Sequence, residues 1–256
     1  MLLPFVGCAA RGGNDAPREP VTLTVLTYNI HHAEGTDKKL DLERIANVIR
    51  ATEADLVALQ EVDQGTKRTG GVDQPAELAR MLDMHVFYGP AMDFQGGKYG
   101  NAILSRHPIE DGATIALPYR AGGQREPRSA AAVTCRLSDD RRIVFVSTHF
   151  DHTAEPSDRL AQAEAVNRSL SDSGLPSILA GDFNCAPGSP PMLELTSRWT
   201  LASSGDPSYG ATAERRKSID HVLVRPKEAW RIIESRVIDE PVASDHRPVL
   251  VRLKLK

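Results

Sequence analysis

The order of its apolar segments constrains the fold of this 256-residue chain more than any other feature. Short runs rich in β-branched and apolar residues alternate in places with helix-like segments, and elsewhere they follow one another directly. A purely parallel, doubly wound sheet would need a crossover helix after each strand. The pattern therefore predicts an α/β protein of mixed type, in which mixed β-sheets are covered by helices.

Strands and helices are predicted from apolar periodicity and from turn residues at their ends. The predicted strands are Val21–Ile30, Asp55–Gln60, the end of Gly96–Arg106, Ala130–Leu137, Ile143–Phe150, Ser177–Gly181, Ser218–Val224 and the C-terminal segment after Ser244. The predicted helices are Asp41–Thr52, Pro75–Leu82, Ser157–Asp172 and Met192–Ser197. We assign substrate specificity to loops within 62–100, 109–127 and 186–217, and we expect 200–217 to be exposed.

Length and charge limit the classes of function. A chain of this length suffices for one large α/β domain or for two small ones, with a sizeable core, and we expect residues 21–256 to be the folded part. The net charge is −3, so no global basic field holds nucleic acid, and any such binding needs a local patch. Two short basic runs, one at 215–217 and one formed by Arg120, Arg125 and Arg128, are expected mainly as solvated surface.

Residues 1–20 differ from the rest of the chain. They are apolar around Cys8 and then turn polar and rich in Pro and Gly, which resembles the end of a bacterial lipoprotein signal with Cys8 as the lipidated residue. No Lys or Arg precedes the apolar part, which is too short for a signal or a membrane span. Two interpretations of this segment stay open. It is the remnant of a lipoprotein signal, which places the protein in the cell envelope or outside the cell, or the resemblance arose by chance and the protein is cytoplasmic.

The three cysteines are dispersed and fit neither a disulfide framework nor a zinc motif. Cys135 lies in a strand-like run and is expected to pack as a small hydrophobic residue. Cys185 lies beside the polar cluster described next, where it is either buried or partly reactive.

Polar side chains gather where predicted strands begin or end. The set is Asn29, Glu61, Arg128, His149, Asp182, Asn184, Asp220, Asp245 and His246. Each has an ordinary interpretation, such as a turn formed by Asp182 and Asn184 after Gly181. Because so many recur in one chain, we predict that the members of this set other than Arg128 line one cleft at the rim between two sheets.

The chemistry of this set indicates an oxygen-ligated divalent metal. Carboxylates and carboxamides without thiolates suit Mg²⁺ or Mn²⁺ better than Zn²⁺, and the histidines do not follow zinc-motif spacing. His149, His246 and Arg128 would add positive charge where the oxygens of a phosphate lie. A bound metal, an oriented water and neutralisation of charge are what phosphate ester hydrolysis requires.

Eight short motifs extend this inference. TYNIHH, QEVD, YGNAILS, EPR, THFDH, GDFN, IDHVLV and SDHRP occur in this order, and together they resemble the endonuclease/exonuclease/phosphatase superfamily over residues 21–256. The resemblance implies a four-layer α/β sandwich, with two mixed β-sheets face to face and helices outside. It also implies a Mg²⁺ cofactor, with Mn²⁺ as an alternative, and a phosphate ester as the partner molecule.

The resemblance carries roles onto individual residues. Catalytic roles fall on His149, Asp182, Asn184, Asp220, Asp245 and His246, metal contacts on Asn29, Glu61, Asp182, Asn184 and Asp245, and substrate contacts on Asn101 and Arg128. Glu61 resembles the principal metal ligand, and Asp182 resembles the residue that orients or deprotonates the attacking water. His149 and His246 resemble a phosphate-stabilising pair, in which Asp220 keeps His246 protonated.

Three functions remain open from the sequence. The first is a Mg²⁺-dependent phosphodiesterase or phosphatase for a small or lipid-linked phosphate ester, expected as a monomer without an obligate protein partner. The second is an endonuclease or exonuclease on DNA or RNA, although His31 stands where nucleic-acid members often carry Asp and only 5% of residues are aromatic. The third is a catalytically silent binding module.

Overall fold

Two six-stranded mixed sheets pack face to face in the computed structural model, which describes residues 19–120, 126–171, 173–210 and 217–256. The strands are β1 (Val21–Asn29), β2 (Leu56–Gln64), β3 (His85–Phe94), β4 (Gly97–Ser105), β5 (Ile109–Leu117), β6 (Arg128–Arg136), β7 (Arg142–His149), β8 (Ser177–Asp182), β9 (Thr200–Leu201), β10 (Asp220–Arg225), β11 (Trp230–Val237) and β12 (Val249–Leu255). The helices are α1 (Leu42–Thr52), α2 (Gln74–Leu82), α3 (Ser157–Ser169) and α4 (Pro190–Thr196).

The two sheets share one topology. Sheet A has the order β11-β12-β1-β2-β4-β3, and sheet B has the order β5-β6-β7-β8-β10-β9. Each sheet contains a central parallel pair, β1–β2 or β7–β8, whose crossover carries α1 or α3. The other paired strands are antiparallel. This correspondence appears in the structure, although we find no internal repeat in the sequence.

Alternation along the strands builds four layers. Leu23 and Val25 of β1 belong to the apolar layer between the sheets, whereas Leu26 and Tyr28 face the layer that contains α1 and α2. A third apolar layer packs α3 and α4 against sheet B. The predicted four-layer sandwich is therefore confirmed.

Capping residues fix the two helices outside sheet A. The side chain of Asp41 accepts a hydrogen bond from the backbone N–H of Arg44 at 2.8 Å, and Asp73 accepts one from Ala76 at 3.1 Å. Pro75 lies in the first turn of α2, as predicted. Within the described ranges, no helix combines the length and apolar character that a membrane crossing requires.

The segments in which specificity loops were expected contain the predicted helices α2 and α4 and, in addition, the strands β3, β5 and β9, which were not predicted. The assignment of substrate specificity to loops within these segments stays a prediction. Residues 200–217 are not an exposed loop throughout, since Ala202 and Ser208 are buried. Helix α3 ends at Ser169, and Asp172 lies outside the described residues. Cys8 and the arginines at 125, 215 and 216 also lie outside them, so the predictions made for these residues remain predictions.

Candidate active site

The predicted polar residues meet in one cleft at the carboxyl ends of the two parallel strand pairs. The cleft has a volume of about 590 Å³ and is lined by Glu61, Arg128, His149, Asp182, Asn184, Asp245 and His246 among other residues. Asn29 and Asp220 are buried and reach this set through hydrogen bonds. The predicted convergence of these side chains is therefore present in the structure.

Asn29 at the end of β1 connects the two sheets. Its Nδ2 donates to Glu61 Oε1 at 3.0 Å and to Asp182 Oδ2 at 3.1 Å. Its Oδ1 accepts from the backbone N–H of His31 at 3.0 Å. The carboxamide thus fixes the spacing between one carboxylate of sheet A and one of sheet B.

Asp182, His246 and Asp220 form a buried array beneath the cleft. His246 Nδ1 lies 2.9 Å from Asp220 Oδ2, and its Nε2 lies 3.6 Å from Asp182 Oδ2. Ser208 Oγ donates to Asp220 at 2.6 Å and holds that carboxylate in place. The hydrogen bond between Asp220 and His246 matches the pairing that the sequence resemblance implied.

Electrostatics in this array favour a protonated His246 and a weakly acidic Asp182. Burial opposes charge on His246, but the carboxylates of Asp220 and Asp182 outweigh burial and raise its pKa to about 10. Burial, together with the charge of Asp220, raises the pKa of Asp182 to about 7. A carboxyl group with a pKa in this range can exchange a proton near neutral pH, which is the property that general-base catalysis requires.

His149 differs from His246 in charge. Burial, with the neighbouring Arg128 guanidinium, holds the pKa of His149 well below its usual range. Arg128 is itself buried and donates to His149 Nδ1 at 3.3 Å and to His152 Nδ1 at 2.9 Å. The expectation that both histidines add positive charge is therefore wrong for His149, because its imidazole is neutral at physiological pH.

Local backbone geometry positions Glu61 and Asn184. Glu61 has φ +58° and lies at a β-bulge inside β2, so the prediction that it ends the strand is wrong. Asn184 has φ +50°, and its Nδ2 donates to the carbonyl oxygen of Phe150 at 3.0 Å. Left-handed conformations at non-glycine residues cost free energy and concentrate at functional sites.

Gly181 is required for space and not for an unusual φ. A Cβ at this position would lie 2.0 Å from the carbonyl oxygen of Thr148 on β7. Absence of a side chain lets β8 approach β7 closely and places Asp182 opposite His149. The residue after Asp182, Phe183, packs in the core layer of sheet B, as the alternation predicted.

Sequence reasoning missed several residues near these groups. His31, His32 and Ala33 have φ values of 45°, 45° and 65°, and one donor atom from each of His31, His32 and Glu61 lies within 4.8 Å of the other two. Burial lowers the pKa of His32 to about 4. Other side chains that the sequence did not assign to the site line the cleft itself, among them Arg68, Arg159, Tyr209 and Lys217. Adjacent histidines match no metal motif, so only the folded turn reveals them.

Asn101 and Cys185, which were predicted to lie at or beside the site, are both buried. Asn101 is 1% exposed, donates to the backbone oxygen of Ser129 at 2.8 Å and is not among the residues that line the cleft, so a direct substrate contact is not supported. Cys185 is buried, and burial raises its pKa to about 11, which decides between the two alternatives left open for this thiol. Cys135 packs in the core, as predicted.

The donors in the cleft fit a divalent cation. Glu61 and Asp245 are half-buried carboxylates that line it, and hard divalent ions prefer such oxygens. A second group, formed by Asp182, Asp220 and His246, also lies within 4.8 Å of one another. Because that group already forms internal hydrogen bonds, the Glu61 side is the better place for a metal.

Comparison with known proteins places these residues in a family context. The model of the Endonuclease/Exonuclease/phosphatase family matches residues 26–246. A solved endonuclease/exonuclease/phosphatase from Beutenbergia cavernae is 29% identical, with a TM-score of 0.74 over 91% of this chain and 72% of that chain. Another from Bacteroides vulgatus is 21% identical, with a TM-score of 0.77 over 92% of this chain and 100% of that chain, a likeness in fold.

Curated relatives match a shorter region. A UPF0294 protein of Vibrio cholerae is 32% identical over 134 residues, which cover 51% of this chain and 47% of the relative. The chain therefore spans about half the length of this relative. The similarity supports common ancestry over that region and leaves the activity to be argued from the cleft.

Proposed function

Because this chain belongs to the endonuclease/exonuclease/phosphatase family, whose members are generally hydrolases of phosphoesters, we propose that it is a divalent-metal-dependent phosphodiesterase or phosphatase. The observation that carries the proposal is the buried array of Asp182, His246 and Asp220 beside Glu61. An array of this kind suits proton transfer and stabilisation of negative charge at one point, which phosphoryl transfer to water needs.

Asp182 is proposed to accept the proton of the attacking water. Its pKa of about 7 makes the carboxylate available at neutral pH and strong enough to take a proton. Asn29 donates to Asp182 Oδ2, and the backbone N–H of Asn184 donates to Oδ1 at 2.9 Å, so both oxygens are oriented. Without these two hydrogen bonds, in solvent, the carboxylate of Asp182 would have to reorient before it could accept the proton.

His246 and Arg128 are proposed to stabilise the phosphate oxygens. His246 remains charged because Asp220 holds its proton, and Arg128 remains charged at any accessible pH. Neutral His149 is held in place by Arg128 at Nδ1 and lies next to both site residues of β8 and the turn after it, with its Nε2 3.0 Å from Asn184 Nδ2 and 3.5 Å from Asp182 Oδ2. A divalent cation bound by Glu61 and Asp245 would neutralise charge on the phosphate.

A nuclease is the second candidate, and one observation favours it. The guanidinium of Arg68 lies over the rings of Phe94 and Tyr99, at 4.7 Å and 5.5 Å from their centroids, beside the cleft. Arginine and aromatic faces of this kind bind nucleic-acid bases by stacking. The net charge of −3 opposes extended contact with nucleic acid, so we rank this function second.

A substrate panel tests the proposal. Purified protein would be incubated with p-nitrophenyl phosphate, bis-p-nitrophenyl phosphate, inositol phosphates, sphingomyelin, cyclic nucleotides and DNA. Each substrate would be tested with Mg²⁺, Mn²⁺, Co²⁺ or Zn²⁺ and with chelator. We expect metal-dependent hydrolysis of at least one ester and loss of that activity on His246→Ala. Salt-sensitive cleavage of DNA alone would favour the nuclease. No hydrolysis of any substrate with any of these metals would favour a silent binding module.

A further inference from the structure

His31 and His32 form, with Glu61, a compact donor group, and Glu61 is the member of this group that lines the cleft. One donor atom from each residue lies within 4.8 Å of the other two, a spacing that one metal ion can bridge. Both histidines belong to the short turn that follows β1 directly. Glu61 comes from the bulge in β2, the parallel neighbour of β1. The group therefore combines two adjacent strand ends of one sheet.

The hydrogen bonds of His31 leave one ring nitrogen available. Its Nδ1 lies 3.0 Å from the backbone oxygen of Glu34, and a carbonyl oxygen can only accept, so Nδ1 carries the proton. Nε2 then keeps its lone pair. A histidine whose second nitrogen donates to a carbonyl oxygen has the tautomer and the fixed ring orientation of a metal ligand.

His32 also has an uncommitted nitrogen. The residue is 7% exposed, and within the described part of the chain its Nδ1 has no hydrogen-bond partner. Its Nε2 lies 3.8 Å from Glu34 Oε2. Gln74 anchors this turn, because its Nε2 donates to the backbone oxygen of His32 at 2.8 Å. A buried imidazole nitrogen without a partner is costly unless something else satisfies it.

We propose that His31, His32 and Glu61 bind a divalent transition-metal ion, and that the two imidazoles make this site prefer ions such as Co²⁺ or Zn²⁺ over Mg²⁺. Imidazole nitrogen suits the later first-row ions, whereas Mg²⁺ selects oxygen ligands. The sequence-based expectation of Mg²⁺ or Mn²⁺ rested on oxygen ligands, on the absence of zinc-motif spacing and on the family resemblance, and it did not include His31 or His32 as ligands. One consequence of this inference, namely which ion supports turnover, rests on the proposed function. The metal site itself is defined by metal binding and does not depend on that function.

Calorimetric titration of metal-free protein tests the site without substrate. The probes are Co²⁺ and Mg²⁺, and the variants are His31→Ala, His31→Asp and His32→Gln. We expect His31→Ala to weaken Co²⁺ binding by ~10-fold or more while Mg²⁺ affinity stays within ~3-fold. His31→Asp should shift the preference toward Mg²⁺, since it exchanges nitrogen for oxygen. The control is His85→Ala, an exposed histidine on β3, which should leave both affinities unchanged.

Proton NMR of the Co²⁺-loaded protein identifies the ligand directly. Coordination through Nε2 of His31 should give a hyperfine-shifted, exchangeable Nδ1–H resonance that is retained because Glu34 accepts its hydrogen bond. That resonance should disappear in His31→Ala and persist in His85→Ala. Circular dichroism would confirm the fold of each variant, and His31→Gln would replace His31→Ala if the alanine variant unfolds.

Two results would overturn the proposal. Equal weakening of Co²⁺ and Mg²⁺ in the His31 variants would reject the preference, and unchanged Co²⁺ binding with no shifted histidine resonance would reject the site. Failure of the proposed function has a different signature. It would appear as intact, His31-dependent Co²⁺ binding by a protein that hydrolyses no ester in the substrate panel.

Discussion

Each of the two parallel strand pairs contributes one carboxylate to the same cleft, but the two carboxylates differ in how far they are buried. In sheet A, β1 and β2 contribute Asn29 and Glu61, and in sheet B, β7 and β8 contribute His149 and Asp182. Glu61 is half-buried, whereas Asp182 is 1% exposed. By strand register the counterpart of Asp182 is Gln60, because Gln60 pairs with Asn29 as Asp182 pairs with His149, and Glu61 lies one residue further on, in the bulge. Local geometry therefore decides which carboxylate each strand pair presents and how strongly water is excluded from it.

The local geometry differs at a bulge and a close contact. Around Glu61 the pairing of β2 is interrupted, and the residue takes a left-handed conformation that presents its side chain toward the cleft. Around Asp182 the chain is packed tightly, since Gly181 lies against β7. We infer a division of labour, in which the sheet A side holds a cation and the sheet B side handles protons and phosphate charge.

The largest effect is expected for Asp182→Asn. If Asp182 is the base on the buried side, the substitution should lower kcat by ~10³-fold, within the range measured for general bases. Steady-state hydrolysis of the best substrate in the panel would measure it. The matched control is Asp83→Asn, an exposed residue at the end of α2 whose left-handed conformation suits Asn equally well. If kcat were unchanged by Asp182→Asn, Asp182 would not be the general base.

His246 is expected to give the next largest effect. His246→Ala should lower kcat by ~10²-fold or more, because a positive charge near the phosphate oxygens is lost. For the wild type, kcat should rise as Asp182 loses its proton near pH 7 and fall as His246 loses its own near pH 10. Asp220→Asn removes the charge that raises the pKa of His246, so the basic limb should move to lower pH. A limb that stays in place or moves to higher pH would exclude this pairing.

Gly181→Ala tests the close packing that distinguishes sheet B. The added methyl group would meet the carbonyl oxygen of Thr148, and overpacking of this kind lowers the free energy of unfolding by ~1–3 kcal/mol. Urea denaturation would measure the change. The matching position in sheet A is Leu59, which pairs with Tyr28 as Gly181 pairs with Thr148 and carries a large side chain. Unchanged stability of Gly181→Ala would show that β7 and β8 can separate without cost.

The smallest effect concerns acid stability. His221 in β10 is fully buried, and burial lowers its pKa. Because the unfolded chain takes up this proton first, the stabilising contribution is present above the unfolded pKa of ~6.5 and is lost as pH falls toward the folded pKa. The melting temperature should therefore fall between pH 7 and pH 5, and it should fall less steeply in His221→Gln. Equal slopes for the two proteins would contradict a neutral, buried His221.

Much of the fold was predictable because the central strands are buried on both faces. Continuous apolar runs such as the one in β8 identify such strands. The strands that the sequence did not reveal, β3, β5, β9 and β11, are the four edges of the two sheets. Their patterns are weak for physical reasons, since β3 contains Gly89 and Pro90, and β11 exposes Ile232 and Ile233.

The residues that meet in the candidate site could be predicted from the sequence, but the charge states of their side chains could not. Strand-end positions identified the residues that meet in the cleft, such as His149 and His246. Their opposite charge states depend on burial and on neighbours from other strands, Arg128 for His149 and Asp220 for His246. The bulge that turns Glu61 toward His31 is equally a property of pairing between strands, which the local sequence does not encode.

A metal titration of two variants tests the division of labour most directly. After chelation, residual hydrolysis by Glu61→Gln and Asp182→Asn would be followed against Mg²⁺ and Mn²⁺ concentration. The account predicts that Glu61→Gln raises the half-saturating metal concentration by ~10-fold or more and recovers activity at high metal, whereas Asp182→Asn keeps the wild-type half-saturation with a low kcat. Full wild-type activity in chelator, or equal shifts in half-saturation for the two variants, would contradict it.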